Sequence, residues 1–232
     1  MEINFEDLGI IDYKEAWDYQ EKLFNEIIAL KLDGKNNSAP SNFKYQHHLL
    51  FCEHPHVFTL GKNGAQSNLL VSEELLRKIG ATFYKINRGG DITYHGPGQI
   101  VGYPIFDLEA MKLGIKEYIN MLEESIINTL AEYGIKAGRL AGATGVWLDA
   151  ISEANARKIC AIGVRVSRYV TMHGFALNVN TNLDYFQYIN PCGFIDKGVT
   201  SIEKELGCKQ DFEETKKCLL KNIKKVFMSK IS

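Results

Sequence analysis

The densest run of chemically able residues is Arg88-Gly89-Gly90-Asp91-Ile92-Thr93-Tyr94-His95, continued by Gly96, Pro97, Gly98 and Gln99. Its glycines let a backbone turn sharply and approach a ligand closely, while Arg88, Thr93, Tyr94 and His95 supply hydrogen-bond donors. The same composition also suits a long hairpin turn. It is not a dinucleotide loop, because Gly98 is followed by Gln99, Ile100 and Val101, with no glycine where a pyrophosphate needs one. A second run, Lys158-Ile159-Cys160-Ala161-Ile162-Gly163, puts a lysine at the head of an apolar stretch, a common place for a strand-end side chain reaching for water. The third is Asn190-Pro191-Cys192-Gly193-Phe194. A thiol between proline and glycine belongs to a loop with accessible amides that can hold an oxyanion, whereas Cys52, Cys160 and Cys218 fall on element faces, where a thiol is buried and inert. Cys192 is thus the candidate nucleophile. Cys52, His54 and His56 alternate along one face, yet Pro55 interrupts the strand and the spacing fits no structural zinc pattern, so no metal is expected.

Lys and Arg total 27 against 28 Asp and Glu, so no global field favours nucleic acid or an anionic membrane. Hydrophobic residues at 45% and charged residues at 24% are ordinary for a globular chain. The acidic N-terminus does not read as a signal or transit peptide, and no apolar stretch approaches membrane-span length. The 5 cysteines lack any Cys-x-x-Cys pair, which favours reduced thiols. A cytoplasmic monomer is expected.

These residues need elements to position them. Asp12 with Glu15 resembles a capping box, and Tyr13, Ala16, Trp17, Phe24, Ile27 and Ile28 follow on one helical face until Gly34. The spacing predicts further helices over 72–79 and 115–133, closed by Gly80 and Gly134. Capping pairs Thr200 with Glu203 and Asp211 with Glu214 predict two more, the last turning Phe212, Leu219, Ile223 and Val226 inward. Strands are predicted over 48–52, 82–86, 100–106, 144–148, 159–166 and 170–179, with a polar segment over 149–157. This order lacks regular βαβ alternation. The expected class is α+β: one domain over 1–232, with helices packed on a mixed, mostly antiparallel sheet.

Together the motifs resemble the lipoyl(octanoyl) transferase family. The run 88–99 looks like its Arg-Gly-Gly-x-x-Thr-Tyr-His-x-x-Gly-Gln signature. Lys158 with Ala161-Ile162-Gly163, then His173-Gly174-Phe175-Ala176-Leu177-Asn178-Val179, then Pro191-Cys192-Gly193, follow in the family's order. The resemblance also touches 53–61 and 198–202, and departs where His56 replaces a frequent second proline.

The resemblance implies the fold of lipoate and biotin ligases, an acyl thioester on Cys192, and its activation by Lys158. It implies acyl binding by residues 88–95, by Ala161, Ile162 and Gly163, and by Gly174, Phe175 and Ala176. The implied donor is octanoyl-acyl-carrier protein. The implied acceptors are lipoyl domains of 2-oxoacid dehydrogenase E2 subunits and the glycine cleavage H protein. Transfer between thioesters is nearly isoenergetic and thioester to amide is downhill, so no cofactor, metal or ATP is required. A lysine ammonium at about 4 Å stabilises a thiolate by up to roughly 4 kcal/mol at an effective dielectric near 20. The competing readings are an ATP-dependent lipoate-protein ligase, which needs no acylated cysteine, and a non-catalytic module that binds acyl-carrier or lipoyl proteins, which needs neither Lys158 nor Cys192.

Overall fold

A computed structural model of the chain describes residues 3–35, 47–150, 155–190 and 198–229. In chain order the strands are β1 (Ile3–Ile10), β2 (His47–Glu53), β3 (Val57–Leu60), β4 (Thr82–Lys85), β5 (Ile92–His95), β6 (Gln99–Ile105), β7 (Ala137–Leu140), β8 (Ala143–Leu148), β9 (Arg157–Ser167), β10 (Val170–Asn178) and β11 (Gly198–Val199). The helices are α1 (Tyr13–Lys35), α2 (Glu73–Lys78), α3 (Ile115–Glu132), α4 (Ile202–Leu206) and α5 (Phe212–Met228). The large sheet has the order β1-β2-β6-β10-β9-β8-β7, with β11 beside β9, and β4-β3-β5 form a small second sheet. β1 with β2, β11 with β9 and β3 with β4 are parallel, and the remaining pairs are antiparallel. The fold is therefore α+β with a mixed, mostly antiparallel sheet, as the element order implies.

Period-two alternation divides the large sheet into two buried faces. Leu49, Phe51, Ile100, Ile159 and Leu177 face α3 and α5, meeting Tyr118, Leu122, Ile126, Leu219, Ile223 and Phe227. Their neighbours Leu50, Cys52, Val101 and Ala176 face α1, meeting Ala16, Leu23, Phe24 and Ile27. The small sheet has its own apolar cluster around Phe58, Leu60, Ile92 and Tyr94, closed by Leu76 of α2.

Several expectations change. The N-terminal segment is strand β1, in which Ile3 and Phe5 alternate with Asn4 and Glu6 before the pairing register shifts after Asp7, and in which only Ile3 is buried. Residues 88–99 contain strand β5, which pairs with β3 over Val57–Leu60, so they are not one continuous loop. The cap of α4 is Ser201, which accepts from the Lys204 amide, rather than Thr200. In α5 the fully buried aromatic is Phe227, with Val226 half-buried beside it.

Candidate active site

A cavity of about 270 Å³ opens over the α1-facing side of strands β6, β9 and β10. Its floor is built from small side chains, because Ala161 pairs with Ala176 and Gly163 with Gly174 across the β9–β10 ladder. A Cβ on Gly174 would lie 2.1 Å from the Gly102 carbonyl oxygen, so the close strand approach here requires glycine. At Gly163 a Cβ would lie 2.9 Å from the Gly89 oxygen and 3.1 Å from Arg88 Cδ, so this glycine lets the signature segment settle onto the sheet. The Gly89 amide completes that contact by donating to the Val164 carbonyl at 2.9 Å.

Arg88 is buried, and its guanidinium donates to the Thr59 carbonyl at 2.7 Å, to Thr59 Oγ1 at 3.0 Å and to the Gly89 carbonyl at 3.0 Å. Asp91 accepts from its neighbour's amide at Ile92 and from Asn68 Nδ2, each at 2.6 Å. These bonds fix the segment so that Arg88, Gly90, Asp91, Ile92, Thr93 and His95 line the cavity, with Ala161, Ile162, Gly163, Gly174, Phe175 and Ala176 opposite. Two expected residues behave differently. Tyr94 points to the far side of β5, where it stacks on Tyr185 and bonds His56 Nδ1 at 2.7 Å. Gly89 is not among the lining residues and serves through its amide.

Lys158 lies near the start of β9 and also lines the cavity. Its ammonium stands 4.6 Å from the centre of the Trp147 ring, and its backbone carbonyl accepts from the Thr200 amide at 2.9 Å. Cys192 lies outside the described residues. Among the described residues no cysteine lines the cavity. Cys52 and Cys160 are fully buried, and burial raises both thiols far above their ordinary range. Cys208 is exposed and Cys218 half-buried, on the helical C-terminal part of the chain.

Three buried histidines lie in or beside the site: His95 and His173 line the cavity, and the His54 ring packs against His95 with centres 6.1 Å apart. Burial pushes His95 and His173 down to about 3, assisted by the Arg88 charge, and His54 down to about 4. All three are neutral near pH 7, and among the described residues Arg88 and Lys158 are the lysine and arginine side chains of the cavity wall. His54 accounts for its nitrogens by bonding the Ile11 carbonyl at 2.8 Å and the Tyr103 hydroxyl at 2.7 Å. His56 instead stacks on Tyr185 at 4.1 Å, away from Cys52 Sγ and His54 Nε2, which meet at 3.4 Å. His173 has a positive φ of 58°, and its ring reaches Asn87 Oδ1 at 2.8 Å.

The wall contains residues that sequence reasoning did not assign: Tyr13, Gln99, Val101, Tyr103, Thr144, Trp147, His173, Asn178 and Phe186. Gln99, His173 and Asn178 sit within recognised motifs, so their polar character inside apolar strands was a readable signal. Tyr13, Tyr103 and Trp147 look like core aromatics in sequence, and only the packing of α1, β6 and β8 brings them to the cavity.

The profile of the lipoyl protein ligase A/B catalytic domain matches residues 12–224. The chain is 55% identical over 231 residues to an octanoyltransferase of Christiangramia forsetii, covering 99% of this chain and 97% of that protein. It is 57% identical over 223 residues to an octanoyltransferase of Parabacteroides distasonis, covering 96% and 97%. Among solved structures, a bipartite lipoate protein ligase of Thermoplasma acidophilum superposes with a TM-score of 0.70 at 15% identity, covering 98% of this chain and 84% of that one. A biotin protein ligase of Aquifex aeolicus gives 0.53 at 13% identity, covering 97% and 71%. The structural likenesses establish the ligase-type fold, and the profile match and the full-length relatives establish the lineage: the chain belongs to the lipoyl protein ligase A/B catalytic domain family.

Proposed function

We propose that the chain is an octanoyltransferase of protein lipoylation, acting as one catalytic domain. It takes an octanoyl or lipoyl group from an acyl-carrier protein onto Cys192 and passes it to a lysine of a lipoyl domain. The observation that carries the reading is that segments from three separate elements, β5 with its preceding turn, β9 and β10, meet on one cavity with Lys158 in its wall. The apolar floor suits a saturated chain, and burying seven carbons at about 0.8 kcal/mol each contributes roughly 6 kcal/mol of binding. The identity to octanoyltransferases over nearly the whole chain supports the same activity.

In this mechanism the Lys158 ammonium stabilises the Cys192 thiolate, which attacks the carrier thioester carbonyl. The carbon–sulfur bond to the carrier breaks, and its thiolate leaves with a proton supplied by Lys158. Neutral Lys158 then accepts a proton as the free amine of the acceptor lysine attacks the Cys192 thioester, forming the amide, expelling the Cys192 thiolate and so regenerating the starting ammonium–thiolate pair. No phosphoanhydride is consumed, which separates this route from ATP-dependent ligation on the same fold.

Intact mass after incubation with octanoyl-carrier protein, without ATP or acceptor, tests the proposal. The expected result is one octanoyl adduct that maps to Cys192 and is absent from Cys192→Ser. Wild-type protein that stays unmodified with a competent donor, yet lipoylates when given octanoate and ATP, sinks it in favour of the ligase.

A further inference from the structure

A chain of side-chain hydrogen bonds runs along the cavity wall from Arg88 to Thr200, and its polarity can be worked out atom by atom. Arg88 only donates, so Thr59 Oγ1, 3.0 Å away, accepts, leaving its own proton for His95 Nε2 at 3.4 Å. At the other end, Asn178 Nδ2 lies 2.9 Å from the Thr200 carbonyl and Gln99 Nε2 lies 3.3 Å from the Tyr94 carbonyl. Carbonyls only accept, so both amides are fixed in orientation. Gln99 Nε2 therefore donates to Asn178 Oδ1 at 2.8 Å, and Gln99 Oε1 accepts from His95 Nδ1 at 2.9 Å. His95 is the Nδ1–H tautomer, and every bond from Arg88 to Thr200 points the same way. Thr200 hands the chain on through its backbone, donating its amide to the Lys158 carbonyl at 2.9 Å. Just before it, Gly198 and Val199 pair with Arg157 and Lys158.

Asn178 is the link that joins the two halves. It is buried, it lines the cavity, and it is the last residue of β10. Without its Nδ2 donor, the chain after β11 loses its side-chain tie to β10 and, through Gln99, to the signature segment. We propose that Asn178 is a positioning residue, which sets the β9–β11 strand pair, and with it Lys158, relative to the acyl-binding segment. This rests on the assignment of Lys158 and Cys192 above.

The test is single-turnover acylation of Cys192 by octanoyl-carrier protein, followed by mass, in the full-length chain and in Asn178→Asp. Aspartate keeps the acceptor for Gln99 but replaces the donor by an oxygen facing the Thr200 carbonyl. The maximal acylation rate is expected to fall at least tenfold, with the donor concentration for half-maximal rate unchanged within twofold. Gln99→Glu breaks the adjacent link and should give the same split, serving as the readout if Asn178→Asp does not fold. The double variant should lose no more than about the larger single loss, as members of one chain do. A maximal rate within twofold of wild type in a folded variant overturns the positioning role, and so does a raised half-saturation with unchanged maximal rate. Multiplying single losses in the double variant also overturns it. Wild-type protein that never acylates Cys192 overturns instead the function on which the role rests.

Discussion

The Lys158 ammonium stands 4.6 Å from the centre of the Trp147 ring, over a face that attracts cations. Trp147 is itself pinned, 2% exposed and donating its indole N–H to the Ala143 carbonyl at 2.9 Å. The ring thus holds the lysine on a flexible stem at the cavity wall. A partly desolvated contact of this kind contributes about 0.5–2 kcal/mol, so Trp147→Leu should slow Cys192 acylation roughly 2- to 30-fold. Trp147→Phe, which keeps a π face, should retain most of the rate. Equal losses in the two variants would show that the ring's bulk, rather than its face, matters.

The floor of the cavity predicts chain-length selection. Ala161→Leu pushes an isobutyl group from the floor toward the bound chain. Its acylation with octanoyl-carrier protein should fall at least tenfold, while butanoyl-carrier protein stays within about threefold of wild type. Gly163→Ala acts differently, because its Cβ meets the Gly89 oxygen at 2.9 Å and shifts the Arg88 segment. It should slow both donors alike. Initial rates with the two donors separate these outcomes, and a uniform loss in Ala161→Leu would remove the floor from the specificity argument.

Much of this site is legible in sequence because its needs are local. Gly163 and Gly174 stand where backbones approach within reach of a missing Cβ, and no other residue fits there. Lys158 is a charge at the head of an apolar run, and Arg88 is one at the head of a glycine-rich turn. What stayed hidden depends on register and on long-range packing. Tyr13 lies on an ordinary amphipathic helix face, and its arrival at the cavity follows from how α1 crosses β6 and β10. Tyr94 was expected to face the ligand with its neighbours, but period-two alternation along β5 sends it to the opposite side from Thr93 and His95 at the cavity. Strand β1 is harder to read because its apolar alternation changes phase at Asp7, from Ile3 and Phe5 to Leu8 and Ile10, and only Ile3 among these is buried.

Arg88 ties the signature segment to β3 through two acceptors on Thr59 and also bonds the Gly89 carbonyl, three acceptors that a single ammonium cannot reach together. Arg88→Lys is therefore not conservative at this position. Losing one or two charge-assisted bonds in a buried place costs about 3 kcal/mol. For a chain of this length that corresponds to a thermal midpoint lowered by roughly 6–12 °C. Scanning calorimetry of the two proteins checks it, and an unchanged midpoint would mean that Arg88 acts only on the ligand.

The buried histidines make acid stability a sharp test of the packing. His47 and His54 are pushed down to about 4, and His95 and His173 to about 3, each mainly by burial. In the unfolded chain each titrates near 6.5. Between about pH 6.5 and 4 the unfolded state therefore binds protons that the folded state refuses, so stability is full above pH 6.5 and falls as pH drops through this window. Each such residue contributes a slope of up to about 1.4 kcal/mol per pH unit. Total domain stability is on the order of 5–15 kcal/mol, so their combined slope removes a large part of it by pH 5. Glu132, held down to about 2 by Lys221 and Asn222, keeps its charge through the window and adds its own loss only at lower pH. Urea unfolding at pH 7, 6 and 5 measures the slope. Uptake of two or more protons on unfolding is the expected result. A stability that is flat from pH 7 to 5 would mean that these imidazoles reach water in the native state, and the neutral His95 tautomer on which the Arg88-to-Thr200 chain depends would lose its basis.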